Sequence, residues 1–189
     1  DCRRTDRTAR HRPRRRPPGL RPLVRGPQRL RFGAIAIVCL WQSLLVEIQA
    51  LVARANFGMP ERKVSGVDYN RVSMLLAILE KRIGLKLGGQ DIFVNIVGGV
   101  QIDEPAADLG IAMTIASSFK EKVIPSDIVF VGEVRLGGEV RSVSQIEIRL
   151  KEAQRLGFKR AVIPKDNAKG IGKELGIERI EVCYLSEAV

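Results

Sequence analysis

Residues 98–165 contain the feature that most constrains the fold: a strongly apolar helical segment enclosed by glycine-rich turns and strand-like segments. The pattern predicts a helix over 106–119, and Ala, Leu, Ile and Met dominate it. A helix that is apolar all round is buried on most sides. Gly137 and Gly138 indicate a hairpin turn between two short strands, and Ser144 begins a second, amphipathic helix. The fold must therefore place covering layers on several sides of the first helix.

The rest of the chain adds strands and helices without strict strand–helix alternation, which predicts an α+β fold. Residues 33–189 are long enough to form a single domain with its own core. The further predicted elements are strands at 33–40, 44–53, 91–98, 160–164 and 177–185, and helices at 68–83 and 165–175. In the helix at 68–83, apolar residues recur at the spacing of one core-facing stripe.

Residues 1–32 differ in composition from everything that follows them. They hold twelve Arg, no Lys and five of the nine prolines, so most of the formal charge of +11 belongs to this tail. We expect the tail to be disordered, because it has too little apolar surface to offset its ordering entropy. Two interpretations stay open: an arginine-rich arm that binds nucleic acid, and a sequence foreign to the native chain, such as one read in a shifted frame. Residues 33–189 are close to electroneutral. The high pI of the whole chain therefore does not indicate that the folded part is basic.

Cysteine, histidine and glycine patterns exclude several kinds of site. Cys2, Cys39 and Cys183 form no Cys-x-x-Cys pair, which argues against a zinc ribbon or a disulfide framework. The one histidine, His11, lies in the tail, so residues 33–189 cannot supply a Ser-His-Asp triad or imidazole metal ligands. The sequence contains no phosphate-binding loop. We therefore expect neither ATP nor a metal as a cofactor of this chain.

The apolar stretch at 32–46 is too short to cross a bilayer, which takes about 20 residues. It leads directly into a strand-like segment and has no small-residue cleavage site. We therefore expect no membrane attachment and a cytoplasmic location.

Two long strings carry a family resemblance: GVDYNR at 66–71 and DEPAADL at 103–109. With their surroundings they resemble the proteolytic domain of Lon-type ATP-dependent proteases, and more closely the C-terminal, Lon-like domain of the RadA (Sms) family of bacterial DNA-repair and recombination proteins. The resemblance is close over 44–189 and loose over 33–40. It implies a Lon-like α+β domain, related to the second domain of a small-subunit ribosomal protein.

Lon-type proteases hydrolyse peptides with a serine and a lysine, and this chain has other residues at both matching positions. Asp108, two residues before Gly110, matches the serine, and Glu147 matches the lysine. Such a dyad needs a hydroxyl nucleophile and an amine that accepts its proton, so the resemblance implies a domain without peptidase activity. The alternative is a Lon-type serine peptidase with displaced catalytic residues. The nearest candidate serines, Ser117 and Ser118, lie more than two helical turns beyond Asp108. This distance disfavours the peptidase alternative.

Asp108 and Glu147 have other interpretations that stay open. Asp108 fits a first-turn carboxylate that is stabilised by the helix N-terminus. Glu147 fits a capping box with Ser144, in which each side chain bonds the backbone N–H of the other residue. The two carboxylates could also bind a divalent cation together, or take part in general acid–base chemistry.

The RadA family combines this domain with a cysteine-type zinc motif and a RecA-like ATPase. The resemblance therefore implies that ATP and zinc belong to those parts of the parent protein. The family forms hexameric rings that act on single-stranded and branched DNA, with a RecA-like recombinase as partner. For this chain, the resemblance implies a non-catalytic domain that contributes to oligomerisation and DNA binding.

Clustered basic side chains are the candidates for contacts with DNA phosphates. Arg71 comes first among them, because it lies in the GVDYNR string. The other candidates are Arg62, Lys63, Lys81, Arg82, Arg135, Arg141 and Arg149, with Lys151, Arg155, Lys159 and Arg160 as further basic groups. Interleaved glutamates leave a solvated charged surface as the alternative for each of them. Aromatic residues are sparse, which argues against a platform for base stacking.

Overall fold

The computed structural model describes residues 34–40, 44–55, 59–172 and 175–189. The predictions for the tail, including its disorder, lie outside these residues. Within them the backbone forms nine strands and five α-helices that mix in one domain, so the predicted α+β fold is confirmed. No helix in this part of the chain is long and apolar enough to cross a membrane.

The largest sheet has four strands: β1 (Ala34–Leu40), β2 (Leu44–Arg54), β3 (Arg62–Ser65) and β4 (Gln90–Ile96). Their order is β1-β2-β4-β3. β2 pairs antiparallel with both neighbours, with Ala50 opposite Ala34 and Ile48 opposite Ile96, whereas β3 and β4 run parallel. The helix α1 (Tyr69–Ile78) makes the crossover that this parallel pairing requires.

The remaining strands are β5 (Ile128–Phe130), β6 (Glu133–Val134), β7 (Val140–Arg141), β8 (Arg160–Pro164) and β9 (Glu178–Val182). β5, β8 and β9 form a parallel sheet in the order β5-β8-β9. β6 and β7 form an antiparallel hairpin, and its connection contains Gly137 and Gly138, as the sequence predicts.

The other helices are α2 (Asp108–Lys120), α3 (Ile146–Arg155), α4 (Lys165–Ala168) and α5 (Leu185–Ala188). A short 3-10 turn, Pro105–Ala107, leads into α2, so the proline lies in a first helical turn as predicted. The helix predicted at 165–175 is shorter than expected, and α4 ends at Ala168.

Both ends of α1 follow from its sequence. The Asp68 carboxylate caps the N-terminus by accepting a hydrogen bond from Arg71 N at 2.8 Å. After Ile78 the chain continues as a π turn, Leu79–Ile83, and Gly84 ends it with a left-handed φ of +80°. The cap fixes the first turn of α1 and thereby the backbone position from which the Arg71 side chain extends.

The centre of the fold is α2. Every residue from Asp108 to Ser117 is buried, and Leu109, Ile111 and Ile115 have no exposed surface. One apolar cluster packs α1 and α2 against the four-stranded sheet, and a second joins α3 to the parallel sheet. The prediction that this helix is buried on most sides is confirmed. A polar group on its buried part must therefore find a partner inside the protein.

Candidate functional site

Asp108, the residue that the Lon resemblance matches to the protease serine, is the first residue of α2. Its side chain has no exposed surface. The carboxylate accepts hydrogen bonds from Arg71 Nε and, at 2.8 Å, from Arg71 Nη2. It also accepts one from Val134 N at 3.2 Å. One buried carboxylate thus joins α1, α2 and the β6–β7 hairpin.

The opposite charges of Asp108 and Arg71 attract each other, and this attraction offsets part of the free-energy cost of burying them. Burial raises the pKa of the Asp108 carboxyl, while Arg71 and the Val134 N–H act in the opposite direction. The hydrogen bond to Asp108 raises the pKa of Arg71, so the guanidinium stays charged. A bidentate arginine–carboxylate pair is among the stronger polar contacts in proteins. As predicted, Asp108 lies in the first turn of its helix. Its hydrogen bonds, however, come from Arg71 of α1 and the backbone of Val134 in β6, and not from the N-terminus of α2.

Glu147 lies in the first turn of α3, with its side chain 45% exposed. Its carboxylate is 2.7 Å from the ammonium of Lys151, one turn later. The predicted capping box with Ser144 is wrong. The helix begins at Ile146, and the preceding residue, Gln145, has a φ of +55° and makes no side-chain cap.

The structure gives Asp108 and Glu147 different surroundings. Asp108 is closed in by Arg71, and Glu147 lies at the surface beside Lys151. Each carboxylate already has a cation of the protein next to it, which disfavours the shared divalent-cation site and a joint acid–base role. Across the described residues, no group of three or more His, Cys, Asp or Glu is placed to hold a metal ion.

A second buried ion pair involves Arg149 of α3, whose side chain is 3% exposed. Its guanidinium pairs with the carboxylate of Glu104, the residue before the 3-10 turn. Its Nε also donates to Ser144 O at 3.0 Å. Arg149 is therefore corrected from a DNA-contact candidate to a residue of the protein interior, because a buried and paired guanidinium cannot reach a phosphate.

Arg71, the first candidate for a phosphate contact, needs the same correction. Its Nε and Nη2 donors point at the buried carboxylate of Asp108, and its side chain is only 24% exposed. A phosphate would have to compete with a bidentate partner that has no access to water. The geometry therefore favours a structural role for Arg71.

The other basic candidates lie in different settings. Arg62 is partly buried in β3, and Lys63 is exposed but 2.7 Å from Glu61. Arg135 is exposed and 3.7 Å from Glu133. The candidates Lys81, Arg82 and Arg141 are also exposed, as is Lys159. Lys151, Arg155 and Arg160 each have a carboxylate oxygen within 2.7 Å of a side-chain nitrogen.

Two of these candidates come together although they are far apart in sequence. Arg82, in the π turn that ends α1, donates from Nε to Leu136 O at 3.4 Å. Leu136 is the neighbour of Arg135 in the β6–β7 connection. The end of α1 and the hairpin therefore form adjoining parts of one surface.

A cleft of about 450 Å³ lies beside the start of α2. Its lining comprises Asp103, Glu104, Pro105, Ala106, Glu133, Ser142, Val143 and Ser144. The charged groups of this lining are all carboxylates, which repel DNA phosphates. The lining offers two serine hydroxyls but neither a lysine nor a histidine that could activate them.

Fold and site together define a small α+β domain in which a buried arginine–aspartate pair links two helices and a hairpin. Residues 48–167 match the family model described as ChlI, subunit ChlI of Mg-chelatase. The match covers more than half of the chain, and the chain belongs to this family.

Relatives over most of the chain are named DNA repair protein RadA. The relative from Bacillus subtilis (strain 168) is 53% identical over 146 residues, which are 77% of this chain and 32% of the relative. The relative from Synechocystis is 45% identical over 157 residues, which are 82% of this chain and 31% of the relative. The resemblance to the RadA family is therefore confirmed. The chain spans about one third of the length of the curated relatives it matches.

Proposed function

We propose that this chain is the non-catalytic, Lon-like domain of a RadA-type DNA-repair protein, and that it contributes to oligomer assembly and to contacts with single-stranded DNA. The observation that carries the proposal is the buried ion pair between Asp108 and Arg71. It supports the proposal because the resemblance matches Asp108 to the Lon serine. The DNA-repair name of the relatives supports the cellular role.

The three hydroxyls of α2 support the absence of peptidase chemistry. Thr114 Oγ donates to Gly110 O at 2.6 Å, inside the helix. Ser117 Oγ donates to Lys122 O, and Ser118 Oγ accepts from Val52 N at 2.9 Å. A nucleophilic hydroxyl needs a neighbouring base and room for a substrate carbonyl. These three hydroxyls instead satisfy backbone groups of the protein.

We predict that a fluorophosphonate, which labels activated serines, forms no stoichiometric adduct with the chain. A Lon-type peptidase labelled in parallel provides the positive control, and intact-mass spectrometry gives the readout. A stoichiometric adduct on any serine between residues 44 and 189 would establish the peptidase alternative and refute the non-catalytic assignment.

In the whole parent protein, the proposal assigns ATP hydrolysis and the zinc site to other parts of the polypeptide. The parent would assemble as a homo-oligomer, with a hexameric ring as the expected form, and would act with a RecA-like recombinase. The coverage of about one third of the relatives' length is consistent with a division of labour between domains. Mass photometry of the chain tests its own contribution to assembly. A monomer at all accessible concentrations would remove oligomerisation from the proposal.

We predict salt-sensitive binding of a fluorescent single-stranded oligonucleotide that survives when all twelve arginines of residues 1–32 are changed to glutamine. This full-length variant keeps the chain length and removes the positive charge of the tail. Fluorescence anisotropy at low and moderate salt gives the affinity of both chains, because phosphate contacts weaken with salt. Complete loss of binding in the variant would assign the affinity to the tail and leave residues 33–189 only the role in assembly.

A further inference from the structure

We propose that the cleft beside the start of α2 binds an arginine–proline segment of this same chain, residues 10–18, which have the sequence RHRPRRRPP. This contact goes beyond the function proposed above, because it assigns an occupant to a groove for which that function has no use. Groove and segment complement each other in charge, in apolar surface and in reach.

The groove combines an apolar wall with an acidic rim. Its volume of about 450 Å³ falls within the range of roughly 300–1,000 Å³ that is typical of ligand sites. Three of its lining residues are apolar and three are acidic: Pro105, Ala106 and Val143, and Asp103, Glu104 and Glu133. Glu104 already pairs with the buried Arg149. The other two carboxylates are the candidates to bind a cation from outside the domain.

The domain itself neutralises Asp103 and Glu133 poorly. Glu133 has Arg135 at 3.7 Å, but the Arg135 side chain is 58% exposed, and such an exposed pair contributes little. Arg141 lies opposite Glu133 in the hairpin register, yet it forms no ion pair within 4 Å. Among the described residues, no Lys or Arg nitrogen lies within 4 Å of the exposed Asp103 carboxylate. An added guanidinium therefore gains two partners here.

Residues 10–18 supply both kinds of group that the groove can bind. They hold five arginines and three prolines. Proline-rich segments favour the extended polyproline II conformation, which has three residues per turn. With that period, each of the three faces of the segment carries at least one arginine and one proline. Whichever face meets the groove brings a guanidinium to the carboxylates, which it can bind in bidentate geometry, and a proline ring to the apolar wall.

The connection between the segment and the domain is long enough. β1 begins at Ala34 and contacts the 3-10 turn Pro105–Ala107, which forms part of the groove. A strand of this length spans only about 23 Å, whereas residues 19–33 extend to roughly 50 Å. A short tether gives an effective concentration in the millimolar range. A Kd of about 0.1 mM for the free segment therefore suffices to keep the groove roughly nine-tenths occupied.

The first test measures binding of a fluorescein-labelled peptide of residues 10–18 to two full-length chains: the native chain and the version with all twelve tail arginines changed to glutamine. Fluorescence anisotropy should give the glutamine-tail chain a Kd below about 1 mM. The native chain should bind the peptide at least about fivefold more weakly, because its own segment occupies the groove. Equal affinities of the two chains would overturn docking within one chain.

The second test removes the charges of the rim in the glutamine-tail chain. Asp103→Asn with Glu133→Gln keeps the side-chain sizes and should weaken peptide binding at least about tenfold, since both charge-assisted contacts are lost. The matched control is Asp166→Asn with Glu181→Gln, two exposed carboxylates outside the groove. It should change the affinity less than about twofold. Equal weakening by both pairs would show attraction by net charge alone and would overturn the proposed site.

A change in the peptide tests the apolar wall without altering the protein. Replacing all three prolines with alanine should weaken binding to the glutamine-tail chain about threefold or more, because the free peptide then loses more conformational freedom on docking. If the variant of the rim unfolds, this comparison decides alone. Unchanged affinity of the alanine peptide would then overturn the proposal.

The last test follows the contact within the chain that has its native tail. Endoproteinase Arg-C cleaves after accessible arginines, and mass spectrometry identifies the cleaved bonds. Cleavage within residues 10–18 should be at least about fivefold slower in the native chain than in its Asp103→Asn, Glu133→Gln variant, in keeping with a groove that is mostly occupied. Equal rates would overturn the proposal. Protection that grows with protein concentration would show that the segment binds a second copy, and would overturn its assignment to the same chain.

Discussion

Arg71→Ala should destabilise the folded protein by about 3–5 kcal/mol, the range for removing one partner of a buried ion pair. The substitution leaves the carboxylate of Asp108, which has no exposed surface, with only the Val134 N–H at 3.2 Å. It also removes the two hydrogen bonds that link α1 to the start of α2. Urea unfolding followed by circular dichroism at pH 7 measures the loss.

The destabilisation should depend on pH with a defined sign. Burial already raises the pKa of Asp108, and Arg71 opposes this, so removal of the guanidinium raises the pKa further. The folded variant then holds a proton that the unfolded chain, with an aspartate pKa of about 3.9, has released. Stability therefore falls as pH rises through this window. The deficit of Arg71→Ala should be largest near pH 7 and shrink as the pH falls toward about 4.

Two control variants isolate burial as the cause. Arg155 makes a similar two-nitrogen contact with Glu152, at 2.8 and 2.5 Å, but its side chain is 68% exposed. We expect Arg155→Ala to unfold at the same urea concentration as the parent. Replacing both Arg71 and Asp108 with leucine should recover part of the lost stability, because no charge is left buried. An Arg71→Ala variant as stable as Arg155→Ala would contradict the structural role of the pair.

The elements that the sequence predicts well are those with a strong local pattern. α2 was predictable because its apolar residues leave no polar face, and the cap and terminal glycine of α1 are local signals at Asp68 and Gly84. The π turn Leu79–Ile83 was not predicted, and its composition does not differ from that of an ordinary helical turn. Short α4 was overestimated, since propensity sets helix ends poorly where tertiary contacts decide them.

The candidate site was less predictable, because its contacts join distant parts of the chain. Arg71 and Asp108 are 37 residues apart, and Arg149 and Glu104 are 45 apart. The interior position of Arg149 did have a local signal. Together with the buried apolar residues of α3 it follows the i, i+3, i+4, i+7 spacing of one helix face. Nothing local indicates that Tyr184 lies beside the hairpin, since that contact depends on a bridge to Glu139.

Gly66→Ala should be among the most destabilising small substitutions in the chain. Gly66 has a φ of +82°, and a Cβ there would lie 2.6 Å from Ile96 Cβ and 2.8 Å from Val100 O. The left-handed backbone costs a non-glycine residue about 1–2 kcal/mol, and overpacking adds about 1–3 kcal/mol. We therefore expect a loss of roughly 2–5 kcal/mol in urea unfolding.

Gly84→Ala is the matched control, because Gly84 has nearly the same φ, +80°, and nothing within 4 Å of its added Cβ. It should lose only the backbone part, about 1–2 kcal/mol. The difference between the two variants measures the clash with β4 and the Val100 carbonyl. Because Gly66 O accepts from Ile102 N at 2.8 Å and Asp68 follows two residues later, the clash also displaces the cap that positions Arg71. Equal stability of the two variants would mean that the backbone at Gly66 moves without cost, and that the junction between β3 and α1 does not set the geometry of the buried ion pair.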